Sequence, residues 1–437
     1  MKSLWVVLLC GALKLFGAEL SPTDWNNRGS TFYAAHRYEE AGSCFEKAWQ
    51  LQQQGERNDP PVAAAILTNW AATRRAQARY KEAEQLYLQA LKFRQTDSGL
   101  DLGDAAITLK GLTILYLNEG KSERAEEFGR RALLIREKNP QAPGEIADAL
   151  NTLCLVLLSE GRFDEAEVLA RRALEVTAQF PQQFDEQRGG ALNTLGRVCL
   201  ARSQFAASEQ YFERAAQATV HALGAQSISI AAIWNNLGKA KAAQGEWGSA
   251  TELFNRSIAV FRSIYGEVHP DVASGLTSVA GVYYARKKYA AAEHLYQQAF
   301  DIDLKIFGDD SPRVATDLTN LGAVAFRRHH LRQAEELISR SLKIDERTLQ
   351  PDHPDIGLNA GNLGVVYWRE KKFTEAEPLL ARASAIRQHA YGPRDPNLAD
   401  LLLEYASVLR SNSQFGEAAK AEMQANTIRV KNALHPY

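Results

Sequence analysis

The side chains able to do chemistry here are nine histidines, four cysteines and a large set of carboxylates. Metal binding would need clustered imidazoles or thiolates, acyl transfer a nucleophile beside a base, and phosphate transfer a glycine-rich cradle. The sequence holds no His-Glu-x-x-His, Cys-x-x-Cys, Gly-x-Ser-x-Gly, P-loop or dinucleotide-binding fingerprint. His269 and His353 share a His-Pro-Asp context but stand 84 residues apart. Stacked units would hold them too far apart to share one ion, so both read as helix starts. His329-His330 falls in a polar turn and reads as solvated. The expectation is a protein without catalysis, metal or cofactor.

Recognition is the chemistry that remains. Amide and hydroxyl side chains recur at Asn26, Thr68, Asn151, Asn193, Asn235, Thr277 and Thr319, and again one position later at Asn27, Asn69, Asn236, Asn320 and Asn362. Such groups donate and accept at once, which suits either a bound peptide backbone or a neighbouring helix. A second column carries Tyr284, Phe326 and Trp368 at 42-residue spacing. Basic turns follow each ring: Arg286-Lys287-Lys288, Arg327-Arg328, and Arg369 with Lys371-Lys372. Rings beside arginine make binding hot spots. The same pattern also fits rings packed between units and bases complementing helix C-termini.

These columns exist because the chain repeats itself. An anchor alanine (serine once) recurs at Ala41, Ala83, Ala125, Ala166, Ser208, Ala250, Ala292, Ala334, Ala376 and Ala418, with every spacing 42 except one of 41. Twelve residues before each anchor stands a small residue, among them Gly29, Thr113, Cys154, Gly196, Gly322 and Gly364. Seven residues after it stands alanine or serine. Three residues before it stands a bulky side chain in nine of ten units, from Tyr38 to Phe415. Small columns let two helices approach closely, and the bulky column is expected to plug the wedge between them. Polar breaks such as Glu160-Gly161-Arg162 end the first helix. Before that helix, Ser311-Pro312 and Asp395-Pro396 set an N-cap and a proline at the first turn. Glu-Ala-Glu segments recur in register and read as exposed helix surface. Each unit is a helix–turn–helix that cannot bury its apolar face alone.

This pattern resembles the tetratricopeptide repeat, with Leu363-Gly364, Tyr367, Ala376, Leu380 and Ala383 at its signature positions. The 42-residue period, His353-Pro354-Asp355 and Asn362-Leu363-Gly364 with Tyr367 are similar to the repeats of kinesin light chains. The likeness covers about residues 21–430. It implies an all-α, right-handed α-solenoid, a superhelix of about ten helix-turn-helix units spanning 19–437. It also implies that first helices line a concave face. Asn151, Asn193, Asn235, Asn320, Asn362, Tyr284, Phe326, Trp368, Arg327 and Arg369 become the candidate peptide-binding residues.

Composition sets the outer limits. With 437 residues, a formal net charge of −1 and 45% hydrophobic content, the chain is globular and lacks the basic excess of a nucleic-acid binder. Residues 1–18, with Lys2, an apolar stretch and Gly17-Ala18, are read as a signal peptide. Later segments are too short in apolar length to span a membrane. Cys44, Cys154 and Cys199 are expected as buried thiols. The expected function is a secreted or periplasmic scaffold, binding a protein or an extended acidic peptide with apolar anchors. The alternative is a structural subunit of a cell-envelope complex, and the alternative location is the cytoplasm.

Overall fold

The structure is a computed structural model describing residues 20–54, 59–96, 99–100, 102–180, 183–393 and 395–434. The segment read as a signal peptide lies outside these residues. The described chain divides at Thr177/Ala178 into two compact units. The N-terminal unit pairs α1 (Pro22–Ala34) with α2 (Tyr38–Gln54), α3 (Pro60–Ala76) with α4 (Tyr80–Phe93), α5 (Leu102–Asn118) with α6 (Ser122–Glu137), and α7 (Pro143–Ser159) with α8 (Phe163–Val176). A two-residue antiparallel contact, Gln95–Thr96 with Gly99–Leu100, joins α4 to α5. The C-terminal unit pairs α9 (Asp185–Ala201) with α10 (Phe205–Leu223), α11 (Ile228–Ala243) with α12 (Trp247–Tyr265), and α13 (Pro270–Ala285) with α14 (Tyr289–Phe307). It continues with α15 (Pro312–Arg327) and α16 (Leu331–Thr348), α17 (Pro354–Arg369) and α18 (Phe373–Tyr391), then α19 (Pro396–Ser411) and α20 (Phe415–Leu434). Within each unit, consecutive pairs stack as an α-solenoid.

A shared interlock closes several of the pairs. The residue four after the anchor reaches across to the small residue sixteen positions before it. A Cβ on Gly29, Gly196, Gly238 or Gly322 would lie 2.6, 2.6, 2.5 or 2.5 Å from Phe45, Phe212, Phe254 or Ile338. Where the notch holds Thr113, the knob shrinks to Gly129, and Thr113 Cγ2 lies 3.3 Å from where its Cβ would be. The interface therefore keeps its volume by trading bulk between helices. The bulky column three before the anchor forms the first residue of each second helix. Its burial varies along the chain: Tyr38 and Tyr80 are buried, Tyr289 packs on a cluster holding Ala280 and Ala292 from the two helices of its pair, and Phe415 in the last pair is 62% exposed. Serines seven after the anchor, Ser257 and Ser341, donate to the carbonyls of Ala231 and Ala315 at 2.7 Å.

All ten turns inside the pairs carry a residue at positive φ, from Ala78 at 57° to Gly245 at 81°. Seven of these are not glycine: His36, Ala78, Ser203, Lys287, His329, Lys371 and Ser413. The left-handed residue lets the next amide close the helix end, as when Lys288 N–H donates to the Tyr283 carbonyl at 2.8 Å. First helices start with the expected caps. His269 and His353 accept the amides of Asp271 and Asp355 through Nδ1 at 3.2 Å, which places both histidines at helix starts. Ser311 and Asp395 cap in the same way. Cys44 and Cys154 are buried thiols, while Cys199 is half-buried.

The Glu-Ala-Glu segments are not simply exposed surface. Their second carboxylate ties successive repeats together. Glu84 meets Tyr116 and Arg124, Glu126 meets Arg162, and Glu209 meets Lys241 and Gln244. Glu293 pairs with Arg328, Glu335 with Lys372, and Glu377 with Asn412 and Gln414. The sequence pattern hid this because each partner lies about 32–40 residues downstream.

Buried carboxyls form a second unexpected feature. Asp303 on α14 and Asp317 on α15 are 6% and 4% exposed. Arg313 Nε reaches Asp303 at 3.6 Å, yet Asp303 Oδ1 and Asp317 Oδ2 are buried without a hydrogen-bond partner. One repeat later the same two positions hold Asp345 and Asn359. There the amide completes the network, donating to Asp345 at 2.7 Å and Ser341 at 2.8 Å, and accepting from Thr319 at 2.7 Å. Burial, reinforced by Asp303, pushes Asp317 up to about 8. Burial likewise raises Asp303 and Asp345 to about 6.

Candidate functional site

The amide columns are divided between two uses. Asn69 Nδ2 donates to Asn26 Oδ1, and Asn236 Nδ2 to Asn193 Oδ1, both at 3.0 Å between neighbouring first helices. Thr68 and Thr108 meet at 2.9 Å, and Lys110 pairs with Asp148. Much of this polarity thus fastens one repeat to the next. Asn235 is buried, while Asn151, Asn193, Asn320 and Asn362 are half-buried. Of the candidate amides, Asn362 lines an open groove.

That groove, about 270 Å³, lies within the C-terminal unit. Its floor comes from α15, α17 and α19, with Tyr284 of α13 at one side and the last turn of α18 at another. Tyr284 and Phe326 face it, with Tyr284 edge-on to Tyr289 at 5.6 Å between ring centres. Burial holds the Tyr284 phenol above its ordinary range. Arg327 lines the same groove and donates through Nε to the Tyr289 hydroxyl at 3.3 Å.

Trp368 lies apart from this lining. Its ring packs on Ala376, Leu380 and Val408 beside Phe373 and Tyr405, with the Arg369 guanidinium 4.9 Å above it. Two rings of the proposed strip therefore meet in one groove, and the third joins the packing between repeats. The basic turns are divided too. Arg328 and Lys372 hold glutamates of the preceding repeat, whereas Arg327 and Arg369 are exposed.

Sequence reasoning did not single out Leu358, Val365, Arg387, Tyr391, Leu401 or Glu404, all of which line the groove. Leu358, Asn362 and Val365 form one stripe of α17 at helical spacing, a periodicity legible in the sequence. Arg387 and Tyr391 come from the end of α18, four residues apart, with the guanidinium 4.9 Å over the ring. Arg387 is fixed by pairing with Asp395, the cap of α19. Glu404 is pushed up by burial and by Asp400, while Arg369 draws it down. The groove therefore offers aromatic and aliphatic surface with both signs of charge at its edges. It can hold an extended segment through apolar anchors and orient it through polar groups.

Among curated proteins no sequence matches this chain. Among solved structures, BtubC (BKLC) from P. vanneervenii is similar, at 21% identity and a TM-score of 0.41, covering 55% of this chain and 91% of that one. A kinesin light chain protein with TPR-like repeats from Podosopora anserina is similar at 22% identity and a TM-score of 0.38, covering 47% of this chain and 97% of that one. The tetratricopeptide repeat family matches residues 23–95, 62–138, 145–219, 229–305, 271–347 and 355–429, so nearly every helix pair above falls within a match. This chain belongs to the tetratricopeptide repeat family.

Proposed function

We propose that this protein is a non-catalytic scaffold, working outside the cytoplasm, whose C-terminal unit grips an extended segment of a partner protein. Repeats of this family present surfaces for protein interaction. The observation that carries the reading is the groove itself. Leu358 and Tyr391 remain 48% and 55% exposed while sharing one concavity with Tyr284 and Phe326. Exposed apolar side chains gathered in a concave site are the usual mark of a binding surface. Arg327 beside these rings, with Arg369 near Glu404, favours a segment with acidic residues between apolar anchors.

A displayed library of random twelve-residue peptides, selected on the full chain, tests the groove. Selected peptides should bind Leu358→Glu at least about ten-fold more weakly, since an apolar contact is replaced by a buried charge. Leu358 is half-exposed, so the variant should unfold at the parental temperature. Equal binding by the variant would remove the groove from the function. Export is tested by intact-mass measurement on natively produced protein, which should lack about 18 residues at its start. A full-length species would place the protein elsewhere.

A further inference from the structure

The groove straddles a joint between repeats. Tyr284 comes from the α13–α14 pair, and every other lining residue from α15 onward. Asp303 and Asp317 lie one on each side of that joint, both buried. One joint later the equivalent residues, Asp345 and Asn359, touch at 2.7 Å. The joint before holds Phe261 and Gly275 at these positions, and the one after holds Arg387 and Leu401. Among these joints, this one sets an acid on both sides of the contact. Arg313, one turn before Asp317, reaches Asp303 at 3.6 Å while its guanidinium also lies over the Phe307 ring. Tyr296 of α14 lies near Asp317, and Asp271 of α13, with His269 at 3.6 Å from it, lies near Asp303. One guanidinium thus stands against two buried carboxyls. The far end of α15 is tied across the same joint, by Arg328 to Glu293 and by Arg327 Nε to the Tyr289 hydroxyl.

We infer, building on the groove reading above, that Asp303 and Asp317 make this joint pH-sensitive, closed while the two carboxyls share a proton and loosened once both are ionised, so that the groove loses its grip as the joint tilts. With one proton between them the pair carries a single charge, which Arg313 offsets. The second ionisation sets two like charges in a buried contact, where repulsion is several times stronger than in water. Burial and Asp303 together push Asp317 up to about 8, which places the change between about pH 7 and 9. The sign follows: the closed form holds below that window and is lost as pH rises through it. Because the Arg328 and Arg327 ties hold the other end, α15 tilts about its last turn rather than detaching. Each repeat touches only its neighbours, so the strain is relieved at this joint, and the lining from α15 onward turns relative to Tyr284.

Hydrogen exchange on the full chain, corrected for intrinsic rates, reads the joint. From about pH 6.5 to about pH 9, amides of residues 296–324 should lose about ten-fold in protection relative to those of α7, and should lose none in Asp317→Asn. The binding probe is a peptide from the selection above, capped at both ends and free of histidine and cysteine. Its affinity should fall about ten-fold over the same range for the parent and stay level for Asp317→Asn. Protection that ignores pH, or changes equally in Asp317→Asn, overturns the joint. A joint that responds while affinity stays level overturns its link to the groove. Leu358→Glu keeps the two readings apart. If that variant binds the peptide as the parent does, the groove reading fails, and exchange still decides the joint.

Discussion

Asp317→Asn should stabilise this protein, and by an amount that depends on pH. In the folded chain the Asp317 carboxyl keeps its proton up to about 8, against 3.8 for the ordinary group. At pH 7 the unfolded chain releases that proton freely, so retaining it costs about 4 kcal/mol at 1.36 kcal/mol per pH unit. Asparagine has nearly the same shape and no proton to retain. The structure already contains the outcome, because Asn359 occupies the equivalent position and donates to Asp345 at 2.7 Å. An amide at 317 should donate to Asp303 in the same manner. The sign follows from a raised folded pKa: the contribution of Asp317 is fully present below about pH 4 and is lost as pH rises toward 8. Urea unfolding followed by circular dichroism between pH 4.5 and 8.5 reads the effect. The variant should match the parent near pH 4.5, gain steadily above it, and level off near pH 8. A constant offset at every pH, or a variant less stable at pH 7, would show that the carboxyl is not holding a proton in the core.

Three further outcomes follow from the interlocks and turns. Gly322→Ala brings a Cβ to 2.5 Å from Ile338 and should cost about 1–3 kcal/mol in thermal unfolding. Adding Ile338→Ala, which removes the clashing Cγ1, should cost less than the two single changes summed, and strict additivity would refute the interlock. Lys371→Gly relieves a left-handed lysine at φ 63° and should raise stability by about 0.5–1 kcal/mol; an unchanged or lower melting temperature would count against turn strain. Trp368→Ala should destabilise by about 2–3 kcal/mol, since the half-buried ring packs on Leu380 and Val408, while selected peptides keep their affinity. Lost affinity with unchanged unfolding would return Trp368 to the binding face.

The repeat and its pairing were legible because identical physics recurs every 42 residues, and a column such as Gly29, Gly196 and Gly322 stands out against any single unit. Local signals also sufficed for the caps, since His-Pro-Asp and Ser-Pro specify a helix start within three residues. Partnerships across repeats were not legible. Glu335 looks like any solvated carboxylate until Lys372 is folded onto it. The knob column was disguised for a different reason. Phe212 and Gly129 hold equivalent positions, and only knowing that Thr113 faces Gly129 makes them the same device. The groove fell between these cases. Tyr284, Phe326 and Asn362 followed from register, but Arg387 and Tyr391 enter from the far end of a second helix, where no column pointed to them.

The knob and its notch have a bearing on how such a chain can be lengthened or recombined. Both halves lie inside one repeat, sixteen residues apart, so copying a whole repeat transmits a matched pair. An exchange whose crossover falls between them does not. Joining the Gly196 notch to the Gly129 knob would leave a hole the size of a phenyl ring, and joining Thr113 to Phe212 would force two bulky groups into one space. The glutamate ties obey the opposite rule. They straddle the boundary between repeats, but most repeats offer the same glutamate, with Gly42, Thr251 and Ala419 the exceptions, so most new neighbours remain compatible. Viable shuffling of these repeats should therefore break at the turns between units and spare the stretch from notch to knob.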